Sequence, residues 1–408
     1  MSIASLCDHV RLDRPTSNIA ALDGLRGIAI LLVLGRHAVR PFYSEVEGLW
    51  KVGGWEVTSP FINGWMGVDL FFVLSGFLIT YQFLRRHERG RPFRLKDFVV
   101  RRVFRIVPVY YFVLMIVVAG LVPYYATGPV SAWEFIKHLL FLQDYGGSQI
   151  VPAFWSLGVE EKFYLVAPVV LLLIFRIRST RVRTGILVGL LVLPLALRMA
   201  TFASHPELDQ YDAAFGVLRA PFHLNLDGFL VGITLAFVFQ ASQSGQIRVA
   251  AGMARVSFWI GAATIGALLF VTPLADQRSW FNTTVLPSIL ALGFGATMFG
   301  ILHRPETLRP MFGSAGLFVV AKISYPLYLI HMTLIPLTWV ALKWLTPIER
   351  SGAVGQFFVF LPVFVGVSLV AALLLHFAVE KPFLDWRDRL LRKAPTPSAG
   401  QAERPLAA

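Results

Sequence analysis

Arg26 and His37 lie eleven residues apart in a stretch that is otherwise almost wholly apolar. Along an α-helix eleven residues sweep about 1100°, roughly 20° past three full turns, so both side chains share one face, about 16 Å apart. That face carries a cation near one end and an imidazole deep in the stretch. Only nine residues separate Arg26 from Arg36, too few to cross a bilayer. The Arg36–His37 end must then be shielded by protein or by a water-filled cavity. An imidazole is matched to general-base work near neutral pH. As a lone pair, the two residues are explained equally well by an interfacial arginine and a hydrogen-bonded packing histidine.

Ionisable side chains recur in other apolar stretches, where they are costly and mark functional sites by default. Asp69 stands in Gly67-Val68-Asp69-Leu70-Phe71-Phe72-Val73-Leu74-Ser75-Gly76-Phe77. The glycines there suit close helix packing; the carboxylate does not. Glu160 and Glu161 adjoin Lys162. They read either as an internal ion pair with that lysine or as acid–base groups tuned by desolvation. Asn225-Leu226-Asp227-Gly228 opens a further stretch, and Lys322 precedes Ser324-Tyr325-Pro326-Leu327-Tyr328-Leu329-Ile330-His331. Pro326 predicts a kink, and His331 taken alone is more often a packing residue than a catalyst. Arg101, Arg102 and Arg105 stand three and four residues apart, close enough on a helix to meet one anion. A basic tract that merely binds anionic lipid is the plainer reading, and the preferred one for Arg85 to Arg94.

The elements that carry these residues follow from composition. The chain has 408 residues, 56% hydrophobic and 15% charged, against about a quarter charged in soluble proteins. Mean hydropathy is +0.65. An ordinary soluble enzyme, a disordered chain and a coiled coil are excluded. Ten stretches are long and apolar enough for spanning helices: 23–42, 64–84, 106–123, 153–175, 184–203, 223–240, 255–273, 282–302, 317–343 and 355–379. They predict an all-α polytopic membrane helix bundle over residues 21–385. A cytoplasmic segment at 1–20, without the apolar core or cleavage site of a removable leader, precedes it. A cytoplasmic tail at 386–408, rich in proline, follows and is expected to be disordered.

Loop charges set the orientation. Nine basic residues fall between Arg85 and Arg105, four between Arg176 and Arg183, and Lys381, Arg387, Arg389, Arg392, Lys393 and Arg404 near the C-terminus. The alternate segments carry Glu45, Glu47 and Glu56, then Glu207, Asp209 and Asp212. Ten spans with both termini cytoplasmic, in the inner (plasma) membrane, are the expectation. His37, Asp69, Glu160, Glu161 and Asp227 would then lie in the outer half or near the middle, and the dense arginines on the cytoplasmic side. A cationic cytoplasmic mouth suits a phosphorylated donor; a cavity of carboxylates and histidine opening outward suits a polyhydroxylated acceptor. The net charge of +13 reads as basic cytoplasmic loops rather than nucleic-acid binding. The single cysteine, Cys7, excludes an intrachain disulfide and a cysteine metal cluster, and no other metal motif is seen.

Six short patterns occur in order over residues 20–385. Arg26 and His37 form Arg-x10-His. Phe71 to Phe77 reads Phe-Phe-x-x-Ser-Gly-Phe, and Arg102 to Pro108 reads Arg-x-x-Arg-Ile-x-Pro. Trp155-Ser156-Leu157, Glu160, Phe163-Tyr164 and Pro168 form a fourth. Ser324-Tyr325 to His331 is a fifth, and Glu380-Lys381-Pro382-Phe383 a sixth. With them the chain resembles the acyltransferase-3 family of integral-membrane acyltransferases, best known for O-acylating bacterial surface sugars. One departure is Asn225-Leu226-Asp227, where the family often has Arg-x-Asp. Some members carry a C-terminal extracellular esterase-like domain; this chain is expected to be of the form without it.

The resemblance implies transfer of an acyl group, expected to be acetyl, from acyl-CoA to a hydroxyl of a carbohydrate or glycolipid acceptor. It implies no permanently bound cofactor, no metal and no nucleic acid. Arg102 and Arg105 are expected to hold the donor nucleotide, with Arg26 steering the pantetheine entrance. His37 is the expected general base, with Glu160 or Asp69 orienting its ring; an acyl-histidine intermediate is left open. Trp155, Glu161, Asp227, Tyr325 and His331 are the candidates for acceptor contacts. The rival reading is a transporter of a sugar or acyl compound that uses the same histidines and carboxylates as a proton relay. The lack of a visible inverted repeat weighs against it, and charges on at least five helices weigh against a purely structural role.

Overall fold

The computed structural model describes residues 20–391, apart from 44–47, 91–92, 126, 178, 207, 209–210, 272–278 and 305–310. The expectations for the N-terminal segment with Cys7, for Glu45, Glu47, Arg91, Glu207 and Asp209, and for the tail from Arg392 onward lie outside the described residues.

The chain folds into helices: α1 Ala20–Val39, α2 Met66–Glu88, α3 Leu95–Val118, α4 Ala132–Leu139, α5 Trp155–Arg176, α6 Thr180–Ala203, α7 Leu226–Gln243, α8 Ala251–Phe270, α9 Leu286–His303, α10 Ala315–Lys322, α11 Ser324–Ile330, α12 Leu334–Leu345, α13 Ala353–Leu375 and α14 Lys381–Leu391. Among the described residues, seven helical runs are long and apolar enough to cross a membrane. They comprise α2, α6, α7, α8, α9, α11 with α12, and α13 with α14. Three more helices of 20, 24 and 22 residues, α1, α3 and α5, match them in length but carry more charge. These three hold Arg26 and Arg36, the Arg101–Arg105 cluster, and Glu160 to Lys162.

Several boundaries differ from the sequence reading. Helix α3 starts eleven residues before the expected span, because Lys96, Arg101 and Arg102 favour helix as readily as the apolar residues after them. It stops at Gly120, whose positive φ lets the Leu121 amide bond back to the Ile116 carbonyl. The stretch 317–343 is not one kinked helix. It breaks at Ile323 and again at a 3-10 turn, His331–Thr333. Pro326 lies in the first turn of α11, where its missing N–H costs least, so it opens a helix rather than bending one. Helix α14 runs to Leu391, so the first residues of the expected tail are helical. Trp386 on α14 packs edge-on against Phe104 of α3 at 5.1 Å.

Two apolar clusters fill the interior, and α1 and α2 contribute to both. Helices α2 and α7 approach closely through glycine: a Cβ at Gly76 would overlap the Phe229 carbonyl, and one at Gly232 the Val73 carbonyl. Helices α6, α8 and α13 lie at the periphery with apolar side chains such as Val188, Ile260 and Leu374 exposed. Such broad apolar faces suit a lipid surround rather than water.

Among the described residues, one hairpin interrupts the helices. Strand β1 Lys51–Val52 pairs antiparallel with β2 Trp55–Glu56. Gly53 and Gly54 supply the two positive φ angles that such a tight turn needs. The Glu56 carboxylate accepts the amides of Leu49 and Trp50 at 3.0 Å, the amide of Thr58 at 3.2 Å, and the Thr58 hydroxyl. Burial works to raise its pKa, but the Thr58 hydroxyl and these amides outweigh it and hold the carboxyl below the usual glutamate range.

Candidate active site

Helices α1, α2, α5 and α11 run past two cavities set end to end. The first, of about 470 Å³, lies along the N-terminal half of α1 and along α2 from Val68 to Gln82. The second, of about 520 Å³, lies at the C-terminal end of α1 and the N-terminal end of α2. Val68 and Tyr328 line both. The Tyr328 hydroxyl donates to the Ala153 carbonyl at 2.7 Å and is bonded to the Ser156 hydroxyl, so these side chains form a partition fixed in place.

The first cavity is lined by Arg26, Arg101, Arg102, Arg105 and Arg387, against Asp23, Glu160 and Glu161. The spacing on α3 does place its three arginines on one face. Arg102 stacks over Tyr164 at 4.4 Å and over Phe98 at 5.6 Å, which orients the guanidinium while leaving its donors available. Arg26 pairs with Asp23 at 3.1 Å. Glu160 accepts a hydrogen bond from Ser75 at 2.8 Å. Tyr325 also lines this cavity and donates to the Ile106 carbonyl at 2.9 Å.

The second cavity is built differently. Arg36 and His37 come from α1, Arg40 from the turn after it, Trp65 from the turn before α2, and Trp155 from the start of α5. Gly146 to Gln149 contribute a loop, held by Ser148 on His138 and by the Gln149 amide on Glu134. A π-helical turn, Phe215–Arg219, adds Phe215 and Arg219. Arg219 donates from Nη2 to both carboxylate oxygens of Asp69, 2.9 Å to each, and lies over Trp65 and Trp155 at 5.5 and 5.2 Å. His37 has its Nδ1 2.9 Å from Nε2 of His331, which is fully buried.

Several sequence-based assignments change. Lys162 does not pair with Glu160 or Glu161; it binds Asp144 and the Phe141 carbonyl in the loop after α4. Glu160 and Glu161 line the arginine cavity, not the one containing His37. Neither Glu160 nor Asp69 contacts the His37 ring nitrogen: Ser75 holds the first, Arg219 the second, and His331 takes the expected place. Asp227 lies in neither cavity lining. It is buried under Arg198, which also donates to the Thr284 and Leu224 carbonyls and to Ser288. Trp155 and Glu161 do line cavities, the second and the first respectively, whereas His331 stands behind His37. The sequence reading singles out neither Arg198 nor Arg219 as a site residue and counts Arg387 only among the basic residues near the C-terminus.

The position departing from the family pattern is explained by the same contacts. Asn225 binds Arg219, and Asp227 binds Arg198. Arg198, from upstream, thus supplies the cation missing beside Asp227, while Arg219 is shared between Asn225 and Asp69. The family's profile, that of an acyltransferase domain, matches residues 19–376. The chain belongs to the acyltransferase-3 family. A peptidoglycan O-acetyltransferase, OatA of Listeria monocytogenes, is 27% identical over 337 residues, covering 78% of this chain and 50% of that protein. YrhL of Bacillus subtilis, provisionally named a peptidoglycan O-acetyltransferase, is 26% identical over 89% of this chain and 54% of its own length. The chain therefore spans about half the length of these curated relatives. No solved structure matches it significantly.

Proposed function

We propose that this acyltransferase-3 chain carries an acyl group, acetyl as in the names of its relatives, from acyl-CoA in the first cavity to a hydroxyl of a sugar-containing acceptor in the second. The observation that carries the reading is the pair of unlike cavities meeting at one partition. Five arginines converge on the first, a donor set suited to the phosphates of coenzyme A. The second offers an imidazole beside two tryptophans and Phe215, surfaces on which sugar rings stack. A thioester reaching the partition from one side would meet a hydroxyl activated by His37 from the other. Residues of the peptidoglycan class are the natural acceptor to try first, given the relatives' names.

The accompanying topology is ten spans in the inner membrane, both termini cytoplasmic and the arginine cavity facing the cytoplasm. It rests on the basic loops and on the ten long helical stretches. A reporter fused at residue 95 should be active only as a cytoplasmic fusion. Mass spectrometry of surface glycans from wild-type and deletion cells tests the reaction. Loss of O-acyl groups in the deletion, restored by the wild-type gene, is the expected result; identical glycans would refute it.

A further inference from the structure

The two bonded imidazoles, His37 and His331, share one proton, and the surroundings of His331 decide which ring owns it. Nδ1 of His331 lies 2.8 Å from the Tyr328 carbonyl and 3.1 Å from the Leu327 carbonyl. A carbonyl only accepts, so this nitrogen carries a hydrogen. In a neutral ring Nε2 of His331 is then the lone-pair nitrogen, and the proton between the rings sits on Nδ1 of His37. Nε2 of His37 is left as the basic nitrogen of a residue that lines the second cavity.

We propose that His331 is a positioning residue: it locks His37 as the Nδ1–H tautomer and steadies the imidazolium that forms during transfer. The inference rests on the acyl-transfer reading above. In that reaction the acceptor hydroxyl gives its proton to Nε2 of His37 while its oxygen bonds to the acyl carbon. The carbon–sulfur bond of the thioester breaks, and the departing thiolate takes the proton from His37 to leave as the thiol. Between those events His37 is positive, and its Nδ1–H bond to His331 becomes charge-assisted. His331 thus does with a neutral lone pair what a carboxylate does in serine hydrolases. The sequence separation is 294 residues, and the pair forms only because α1 and α11 pack side by side.

Two substitutions separate this role from plain packing. His331→Phe fills the space but cannot accept the Nδ1 proton. His331→Gln places an amide oxygen near the old Nε2 position. The expected result is a kcat on the order of 10–100-fold lower for His331→Phe, with donor KM within about twofold, and recovery of most of that loss in His331→Gln. A second readout needs no donor: the rate at which diethyl pyrocarbonate carbethoxylates His37, followed by mass spectrometry of the purified protein. It should slow in His331→Phe and return toward wild type in His331→Gln. A phenylalanine variant with near wild-type kcat, or a glutamine variant no better than it in both readouts, overturns the proposal. Should His331→Phe fail to accumulate, His331→Gln decides alone: wild-type carbethoxylation with a kcat within about tenfold supports the proposal, and inertness in a folded protein overturns it. A wild-type protein that transfers no acyl group would refute the acyl-transfer reading, while the carbethoxylation rates still decide the histidine arrangement.

Discussion

The first cavity takes its charge from side chains regularly spaced along single helices, whereas the second takes its shape from segments far apart in the chain. Arg101, Arg102 and Arg105 need only α3 to be a helix. His37 needs α11, Asp69 needs the π-helical turn at Phe215–Arg219, and the loop at Gly146 to Gln149 needs α4. The contrast fits the division of roles proposed above. A polyanionic donor is recognised by any well-placed group of guanidinium ions, with tolerance for some movement. Proton transfer requires one nitrogen, in one tautomer, at hydrogen-bond distance, and only a network anchored on several elements supplies that.

The sharpest way to divide the two cavities is His37→Gln. It keeps size and hydrogen bonding but not basicity, so acyl transfer should fall by about 10²–10⁴-fold while donor affinity stays unchanged. Retained transfer by purified protein would reduce His37 to a packing role and shift the search for the base to Glu160 and Glu161. Asp227→Ala should act on neither cavity but on the scaffold between helices. It leaves Arg198 buried without its carboxylate, a loss of about 3–5 kcal/mol of stability. A lowered unfolding temperature in detergent is the expected outcome. A normally stable but inactive protein would return Asp227 to the substrate contacts that its sequence suggests.

Smaller effects are expected in the arginine cavity, where neighbours share the load. Arg102→Ala and Arg105→Ala should each weaken acyl-CoA binding roughly tenfold, since one charge-assisted contact contributes about 1.5–3 kcal/mol. Unchanged donor affinity in the double variant would assign these residues to lipid instead. The smallest effect belongs to the hairpin. Glu56 has a lowered folded-state pKa, so its stabilisation is present above the ordinary glutamate pKa and lost as pH falls through the folded value. Glu56→Gln should cost about 1 kcal/mol at neutral pH, and the difference from wild type should shrink in acid. A difference independent of pH would show that the carboxylate's charge is not what holds the loop.

What the sequence revealed divides along the same line. The helical stretches are legible because lipid-compatible helices need long apolar runs, and the shared face of Arg26 and His37 because helical geometry alone decides it. The start of α3 is not, since hydropathy is blind to a helix that continues through arginines. Partner choice is not legible either. Lys162 has two adjacent carboxylates yet binds Asp144, eighteen residues earlier, because those glutamates turn toward the first cavity. His331 reads as a packing residue until α11 is seen against α1. The π-helical turn that delivers Arg219 to Asp69 has no simple sequence mark.

Val68 and Tyr328, which line both polar chambers, have an electrical consequence. In a membrane, chambers open to water on either side would concentrate the transmembrane voltage across the layer between them rather than spreading it over the whole bilayer. Any ion moved between them would exchange about 2.3 kcal/mol per elementary charge per 100 mV with the field. An acetyl group is neutral as a thioester and as an ester. Handing it across the layer, as proposed above, would therefore do no work against the voltage, and neither arginines nor histidine would need to move to let it pass.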